Sequence, residues 1–359
     1  RQREHGHERG HERGHEQQAL ARLLASQIDT TLAQQAWRLI ASAQQIVILA
    51  HENPDPDALG SALGLAQSLA PLGKRCVVAC ADPVPANYTF LPGREAVVTS
   101  LPDARFDLVI ALDAGEMSRY GRLYIEHQAF FDSATILNID HHVTSPGCGE
   151  VNIIDPASAA TAELLTLLLL NRNITIPPDA AKCLLAGIIT DTRSFEFDAT
   201  TWRTLAAGAY LVGLGAVPEA IIKPMYRLKP LAKVRLWGGV LDRELHEAAG
   251  GRIVWATVRL ADLAAADATP DLDDGLSSYL LDVDGVGFAA LLKEQADGET
   301  KASIRSAAPY DAAAVARQFG GGGHVRAAGC TLRMDVDAAA RALVPALERA
   351  LAEQTQREG

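Results

Sequence analysis

Residues 46–61 read IVILAHENPDPDALGS, and most of the fold can be read from them. The first five, Ile46–Ala50, make an unbroken apolar run of the length of a fully buried strand. A polar turn with Pro54 and Pro56 interrupts it, and from Ala58 to Ala70 the pattern is helical. A buried strand feeding a helix is the building unit of a parallel sheet. Similar runs recur downstream at Cys76–Ala79, Leu108–Leu112 and Ile136–Ile139. Helical patterns come next at Ser158–Asn171, Asp179–Ile189 and Thr200–Leu214, and another precedes them between Ala19 and Gln45. The spacing therefore predicts an α/β domain over residues 19–216, with a parallel sheet covered by helices on both faces.

Outward from that domain the pattern changes. Val217–Pro230 carries Pro218, Pro224 and Pro230, and with the helical stretch Leu231–His246 it reads as a helical linker, 217–246. Residues 247–359 alternate differently: strands at Arg252–Arg259, Val286–Lys293, Lys301–Ser306 and Cys330–Met334, helices at Leu272–Leu281, Asp311–Phe319 and Asp337–Glu353. That is a smaller α+β domain. At the other end, residues 1–18 (RQREHGHERGHERGHEQQ) balance four Arg against four Glu and offer no apolar face, which predicts a disordered tail.

Composition sets several function classes aside. With 359 residues and 48% hydrophobic content the chain has material for two real cores. No apolar run approaches the roughly 20 residues of a membrane span. Five Cys at irregular positions give no disulfide framework, so the expected setting is the cytoplasm, with reduced thiols. Against 33 basic residues stand 44 acidic ones, a net charge of −11. A protein that holds long nucleic acid releases counterions from a basic surface, so no stable complex with long DNA is expected.

The chemistry lies just beyond the end of each apolar run. Ile46–Ala50 leads to His51, Asp55 and Asp57, Leu108–Leu112 to Asp113, and Ile136–Ile139 to Asp140-His141-His142. The apolar run Cys183–Thr190 leads to Asp191. Strand carboxyl ends in an open parallel sheet converge on one crevice. Singly, each polar residue could be a helix cap or a packing residue. Together they gather acids that cannot all stay ionised without cations, and two divalent metals would balance them. A mixed Asp/His shell suits manganese, ahead of magnesium, cobalt or zinc. Paired metals of this kind serve hydrolysis at phosphorus.

These residues carry a resemblance. The chain resembles the DHH phosphoesterase superfamily, whose name-giving triplet stands here as Asp140-His141-His142. HENPDPDALGS (51–61), ALDAG (111–115) and GIITDTRSF (187–195) fall in the family's order, and GGGGHVRAAG (320–329) resembles the signature of the DHH-associated domain. The likeness spans roughly residues 30–355. It implies that His51, Asp55 and Asp113 hold one metal and that Asp57, Asp113, His141 and Asp191 hold a second, with Asp113 bridging. Asp140 would orient an imidazole, His142 would face the substrate as proton donor, and Asn53 would reach the substrate side. Two positions depart from the commonest pattern: Pro56 and Arg193 stand where Gly is frequent.

For the smaller domain, Thr300–Cys330 holds four Lys/Arg and one Asp. The glycine run at 320–323 can bring backbone N–H groups close to an anion. The resemblance implies that Ser303, Arg305, Gly322, Gly323 and His324 grip a terminal phosphate and nucleotide, and Arg326 adds a second cation. It further implies hydrolysis of RNAs of 2–5 nucleotides to mononucleotides, and dephosphorylation of 3′-phosphoadenosine 5′-phosphate (pAp). The alternative it carries is a phosphodiesterase for cyclic di-AMP or its linear product. A single-strand DNA exonuclease and an inactive nucleotide-binding module are weaker readings. A homodimer through the large domain is a further family expectation.

Overall fold

The first strand, β1, runs Gln45–Ala50 in this computed structural model, which describes residues 4–358. Two compact units divide at Leu228 and Lys229. In the first, β1 pairs in parallel with β2 (Arg75–Cys80) on one side and β3 (Leu108–Leu112) on the other. Beyond β3 come β4 (Ile136–Asp140) and β5 (Val151–Ile154), giving the order β2-β1-β3-β4-β5. All the pairings are parallel, so the strands are covered on both faces and read as apolar runs. β5 has no counterpart among the strands expected from sequence.

The helices of this unit are α1 (Glu4–Ala25), α2 (Thr30–Ser42), α3 (Pro56–Leu69), α4 (Gly121–Glu126), α5 (Gln128–Phe131), α6 (Thr161–Asn171), α7 (Pro178–Asp191), α8 (Trp202–Gly213) and α9 (Pro218–Ile222). Alternate residues of each strand face opposite sides. Ile46, Ile48, Ile110, Leu112 and Ile139 enter one core with α2, α3, α6 and α7. Val47, Leu49, Val109 and Ala111 enter another with Tyr120, Leu123 and Phe131. α3 packs against α7 along small residues. A methyl group on Gly60 would overlap the Cys183 carbonyl, and one on Gly187 would overlap Asp57 Oδ1.

One expectation is corrected here. The stretch read as a disordered tail is helical from Glu4 onward, as part of α1. Its C-terminal half supplies the anchor: Leu24 is fully buried, and Leu20 and Ala21 pack on the main core. A helix docked at one end extends without a new nucleation step, and the Glu, Arg and Gln of the tail are good helix formers. Residues 1–3 lie outside the described part of the chain.

The second unit begins with α10 (Leu231–Arg243), so residues 217–246 do not form a separate linker. α9 packs in the first unit and α10 in the second, because Ile221 and Leu236 are each buried in their own cores. A mixed six-stranded sheet comes next, built from β6 (Leu245–Ala248), β7 (Ile253–Val258), β8 (Phe288–Glu294), β9 (Thr300–Ser306), β10 (Gly322–His324) and β11 (Ala327–Leu332). Its order is β10-β11-β9-β8-β7-β6, with only β7 and β8 parallel. The accompanying helices are α11 (Leu260–Ala266), α12 (Leu276–Leu281), α13 (Ala312–Arg317) and α14 (Val336–Glu358). α13 and α14 cover one face over Phe288, Ala290, Leu292 and Ile304. α10, α11 and α12 cover the β7–β8 part of the other face. The outer strands on that second face stay partly exposed.

All five cysteines are free thiols. Among the described residues, no single helix is long and apolar enough to cross a membrane.

Candidate metal centre

In a sheet ordered β2-β1-β3-β4-β5, the strand order reverses between β1 and β3, and ligands bind beyond the strand ends at that switch point. His51 comes directly after β1 and Asp113 directly after β3, so both stand there. Asp113 adopts a left-handed backbone, φ 60°, which residues other than glycine and asparagine seldom do. His51 Nε2 lies 3.5 Å from Asp113 Oδ2 and 3.8 Å from Asp55 Oδ2. His141 Nε2 lies 3.5 Å from Asp113 Oδ1, 3.1 Å from Asp191 Oδ2 and 4.0 Å from Asp57 Oδ2. Asp113 thus presents one oxygen to each of two groups. The donor atoms of His51, Asp55 and Asp113 lie within 4.8 Å of one another, and so do those of Asp57, His141 and Asp191.

Hydrogen bonds aim each donor. A carbonyl can only accept, so His51 Nδ1–H donates to the Glu52 carbonyl at 2.8 Å and Nε2 is the nitrogen turned to the cluster. His141 repeats the device with the Ser158 carbonyl at 3.3 Å. Its inward Nε2 is buried and has no directed hydrogen bond, which leaves that nitrogen to a cation. Asp55 caps α3 by accepting from Asp57 N–H and Ala58 N–H, both at 2.9 Å, while its other oxygen faces His51. Asp57, fully buried, accepts instead from Thr161 N–H at 2.7 Å and Ala162 N–H at 3.0 Å, at the start of α6.

The crowding sets the charges. Burial works against a charged His51, yet Asp113, Asp55 and the Glu52 carbonyl outweigh it and hold its pKa up at about 10. His141 reaches about 10 in the same way, burial being overcome by Asp191, Asp57 and Asp113. Burial pushes Asp191 up to about 6, opposed by His141 3.1 Å away and reinforced by repulsion from Asp113 and Asp55. Burial and then Asp113 drive Asp57 well above the carboxylate range. Asp55 moves down: burial opposes this, but the neighbouring His51 ring and the Ala58 N–H hydrogen bond prevail. Four acids around two imidazoles carry an excess of negative charge that protons or cations must balance. The donor set and its excess charge fit two divalent cations.

The other residues expected in this unit lie around the donors. Asp140, buried at the end of β4, orients His142 rather than His141. His142 Nδ1 lies 2.7 Å from Asp140 Oδ1, and the ring is half-exposed. Asn53 is exposed, in a left-handed backbone (φ 50°) whose N–H donates to Asp82 Oδ2 at 2.7 Å. Asp191 ends helix α7, so its apolar lead-in is not a strand. Three consecutive left-handed residues come after it, Arg193 (φ 47°), Ser194 (φ 64°) and Phe195 (φ 70°), one residue along.

In the second unit, register alone puts the expected binding residues side by side. Ser303 and Gly322 flank Gly329 across β11, and Arg305 and His324 flank Ala327, all on the partly exposed face. Gly323, at φ 141°, has a backbone that other residues rarely adopt. Arg326 is not free to join them: its guanidinium donates to the carbonyls of Ala307 and Tyr310 and ties down the hairpin.

Sequence reasoning missed Thr161, Glu163 and Arg203. Thr161 Oγ1 donates to Asp113 Oδ1 at 2.9 Å. An acid inside the otherwise apolar TAELLTLLLL of α6 is the one signal that could have exposed Glu163.

Residues 45–188 match the model of the DHH family, N-terminal domain, and residues 250–353 match that of the DHHA1 domain. A bifunctional oligoribonuclease and PAP phosphatase, NrnA, of Thermus thermophilus is 36% identical over 310 residues, covering 85% of this chain and 90% of that protein. A cyclic-di-AMP phosphodiesterase, GdpP, of Geobacillus thermodenitrificans is 27% identical over 316 residues, covering 82% of this chain and 45% of that protein. Among solved structures, an exopolyphosphatase-related protein from Bacteroides fragilis shares the fold. Its TM-score is 0.79 at 23% identity, over 90% of this chain and 97% of that one.

Proposed function

Because the chain belongs to the DHH family, we propose that it is a two-metal phosphodiesterase that hydrolyses RNAs of 2–5 nucleotides to nucleoside 5′-monophosphates and removes the 3′-phosphate of pAp. The observation that carries this reading is Asp113, whose two oxygens face two separate acid–imidazole groups. His51, Asp55 and Asp113 would hold one cation, and Asp57, Asp113, His141 and Asp191 the other. When bound, the pair supplies Lewis acidity to the phosphoryl group and makes water acidic enough to attack it at neutral pH. Manganese suits the mixed donor set best, with magnesium or cobalt next.

The chain's own groups do the rest. His142, steadied by Asp140, keeps Nε2 where it can give a proton to the leaving 3′-oxygen as the P–O bond breaks. Asn53 stands exposed between His51 and Asp55, available to a substrate oxygen. Ser303, Arg305, His324 and the N–H groups of Gly322 and Gly323 would take the substrate's terminal phosphate and nucleotide. A grip on a terminus favours short substrates, in keeping with the acidic net charge of −11.

A second reading is cyclic-di-AMP hydrolysis, favoured by the similarity to GdpP. One assay separates the two. Purified protein is given linear diadenylate, cyclic di-AMP, pAp and a 24-mer single-stranded DNA, with manganese, magnesium or cobalt and then with chelator. The expected result is rapid, chelator-sensitive loss of diadenylate and pAp, with slow attack on the cyclic dinucleotide and the 24-mer. Faster cyclic than linear cleavage would transfer the role to second-messenger turnover. Hydrolysis that survives exhaustive chelation would overturn the metal assignment.

A further inference from the structure

Behind the cluster lies a buried ion pair that touches none of its donor atoms. Glu163, fully buried in the first turn of α6, accepts from Arg203 Nε at 2.6 Å. The same guanidinium extends a second nitrogen to Asp155 Oδ2 at 2.8 Å and to Ser158 Oγ at 2.6 Å. Glu163 Oε2 accepts from the Thr204 hydroxyl at 2.8 Å and from Ala159 N–H at 3.1 Å. One Arg on α8 and one Glu on α6 therefore strap residues 155–163 in place from within.

That strapped segment is the one that sets the cluster. It supplies the Ser158 carbonyl that fixes the His141 ring and the Thr161 hydroxyl that fixes Asp113. It also supplies the N–H groups of Thr161 and Ala162 that hold Asp57. Stability alone is a poor reason for such a pair. Removing two charges from water is costly, and apolar residues of similar size often do as well or better. Groups that orient metal ligands, by contrast, commonly control metal affinity.

We propose that Arg203 and Glu163 are positioning residues for the metal centre, acting through the segment they clamp on His141, Asp113 and Asp57. The inference rests on the two-metal reading of the site. Replacing the pair by apolar residues then leaves a folded protein whose donors are no longer aimed together.

The test uses full-length protein freed of metal and titrated with manganese in a calorimeter, the unaltered protein also with magnesium and cobalt, beside a thermal melt and steady-state kinetics on diadenylate. Three variants are compared: the double replacement Glu163→Leu with Arg203→Met, the single Arg203→Lys, and Thr161→Val. Arg203→Lys keeps the charge but loses the planar fork, and Thr161→Val removes only the hydroxyl on Asp113. The expected result is manganese affinity weaker by about 10- to 100-fold. kcat should fall while KM changes less than about twofold. Arg203→Lys and Thr161→Val should show this with a melting temperature close to that of the unaltered protein. Should the double variant fail to fold, those two carry the test. Folded variants that bind manganese within about twofold of the unaltered protein would overturn the positioning role and leave the metal centre standing. An unaltered protein that binds no manganese, magnesium or cobalt would instead overturn the two-metal reading itself.

Discussion

At the mouth of the first sheet, the charged side chains are held before any ligand arrives. His51, His141 and His142 each have Nδ1 engaged, and Asp55, Asp57 and Asp113 each accept from a backbone or side-chain donor. On the outer strands of the second sheet the reverse holds. Among the described residues, no hydrogen bond or ion pair engages the side chain of Arg305 or His324. The difference suits the task that the proposed function gives each region. Stabilising a reacting phosphoryl group requires charges already in place, since reorganising them during the reaction would cost rate. Gripping a terminal phosphate requires only that a long cation arrive, with its ordering entropy lost on binding. Damage to the first region should therefore appear in kcat and damage to the second in KM.

Asp113→Asn is the severest test of that contrast. It keeps the shape and removes the charge shared by both acid–imidazole groups, so kcat on diadenylate should fall at least about 10³-fold, the several kcal/mol that metal charge stabilisation supplies. Circular dichroism should show the fold intact. A fall of less than tenfold would mean that Asp113 is not the shared ligand. Arg305→Ala should be milder and of the opposite kind. Loss of one charge-assisted hydrogen bond should raise KM by about 10- to 100-fold with kcat nearly unchanged. If kcat fell and KM stayed level, the outer strands would belong to the chemistry and the contrast would collapse. The smallest effect is expected beside Asp191. Arg193→Gly should relieve a left-handed backbone and stabilise the protein by about 0.5–1 kcal/mol, raising the melting temperature by about 2 °C. An unchanged or lower melting temperature would show that the rigid region holds no strain there.

Much of the first sheet was readable because its central strands β1, β3 and β4 are buried on both faces and each leads straight into a polar residue of the cluster. β1, β3 and β4 lie within a residue of the expected runs, and His51, Asp113 and His141 come directly after them. Asp191 was legible as the polar end of an apolar run, but that run belongs to the helix expected at Asp179–Ile189, so this acid reaches the cluster from a helix C-terminus and not from a strand end. β5 is four residues long and owes its place to pairing with β4, a tertiary cause that local pattern does not carry. Arg203 and Glu163 meet across 40 residues of chain. Arg326 stood out as a cation beside a glycine run, but its geometry is set by carbonyls at Ala307 and Tyr310 that no motif announces.

The glycine seam between α3 and α7 has a consequence for inheritance. Gly187 lies directly against Asp57, and Gly60 on the same helix as Asp57 lies against the Cys183 backbone. Adding one carbon at either position would wedge the two helices apart and carry one aspartate away from its partners. A library of all single substitutions, sorted by survival of activity, should therefore find positions 60 and 187 as intolerant as the aspartates. Many larger surface positions should accept almost anything. In lineages descended from this chain, two residues without side chains would be among the slowest to change.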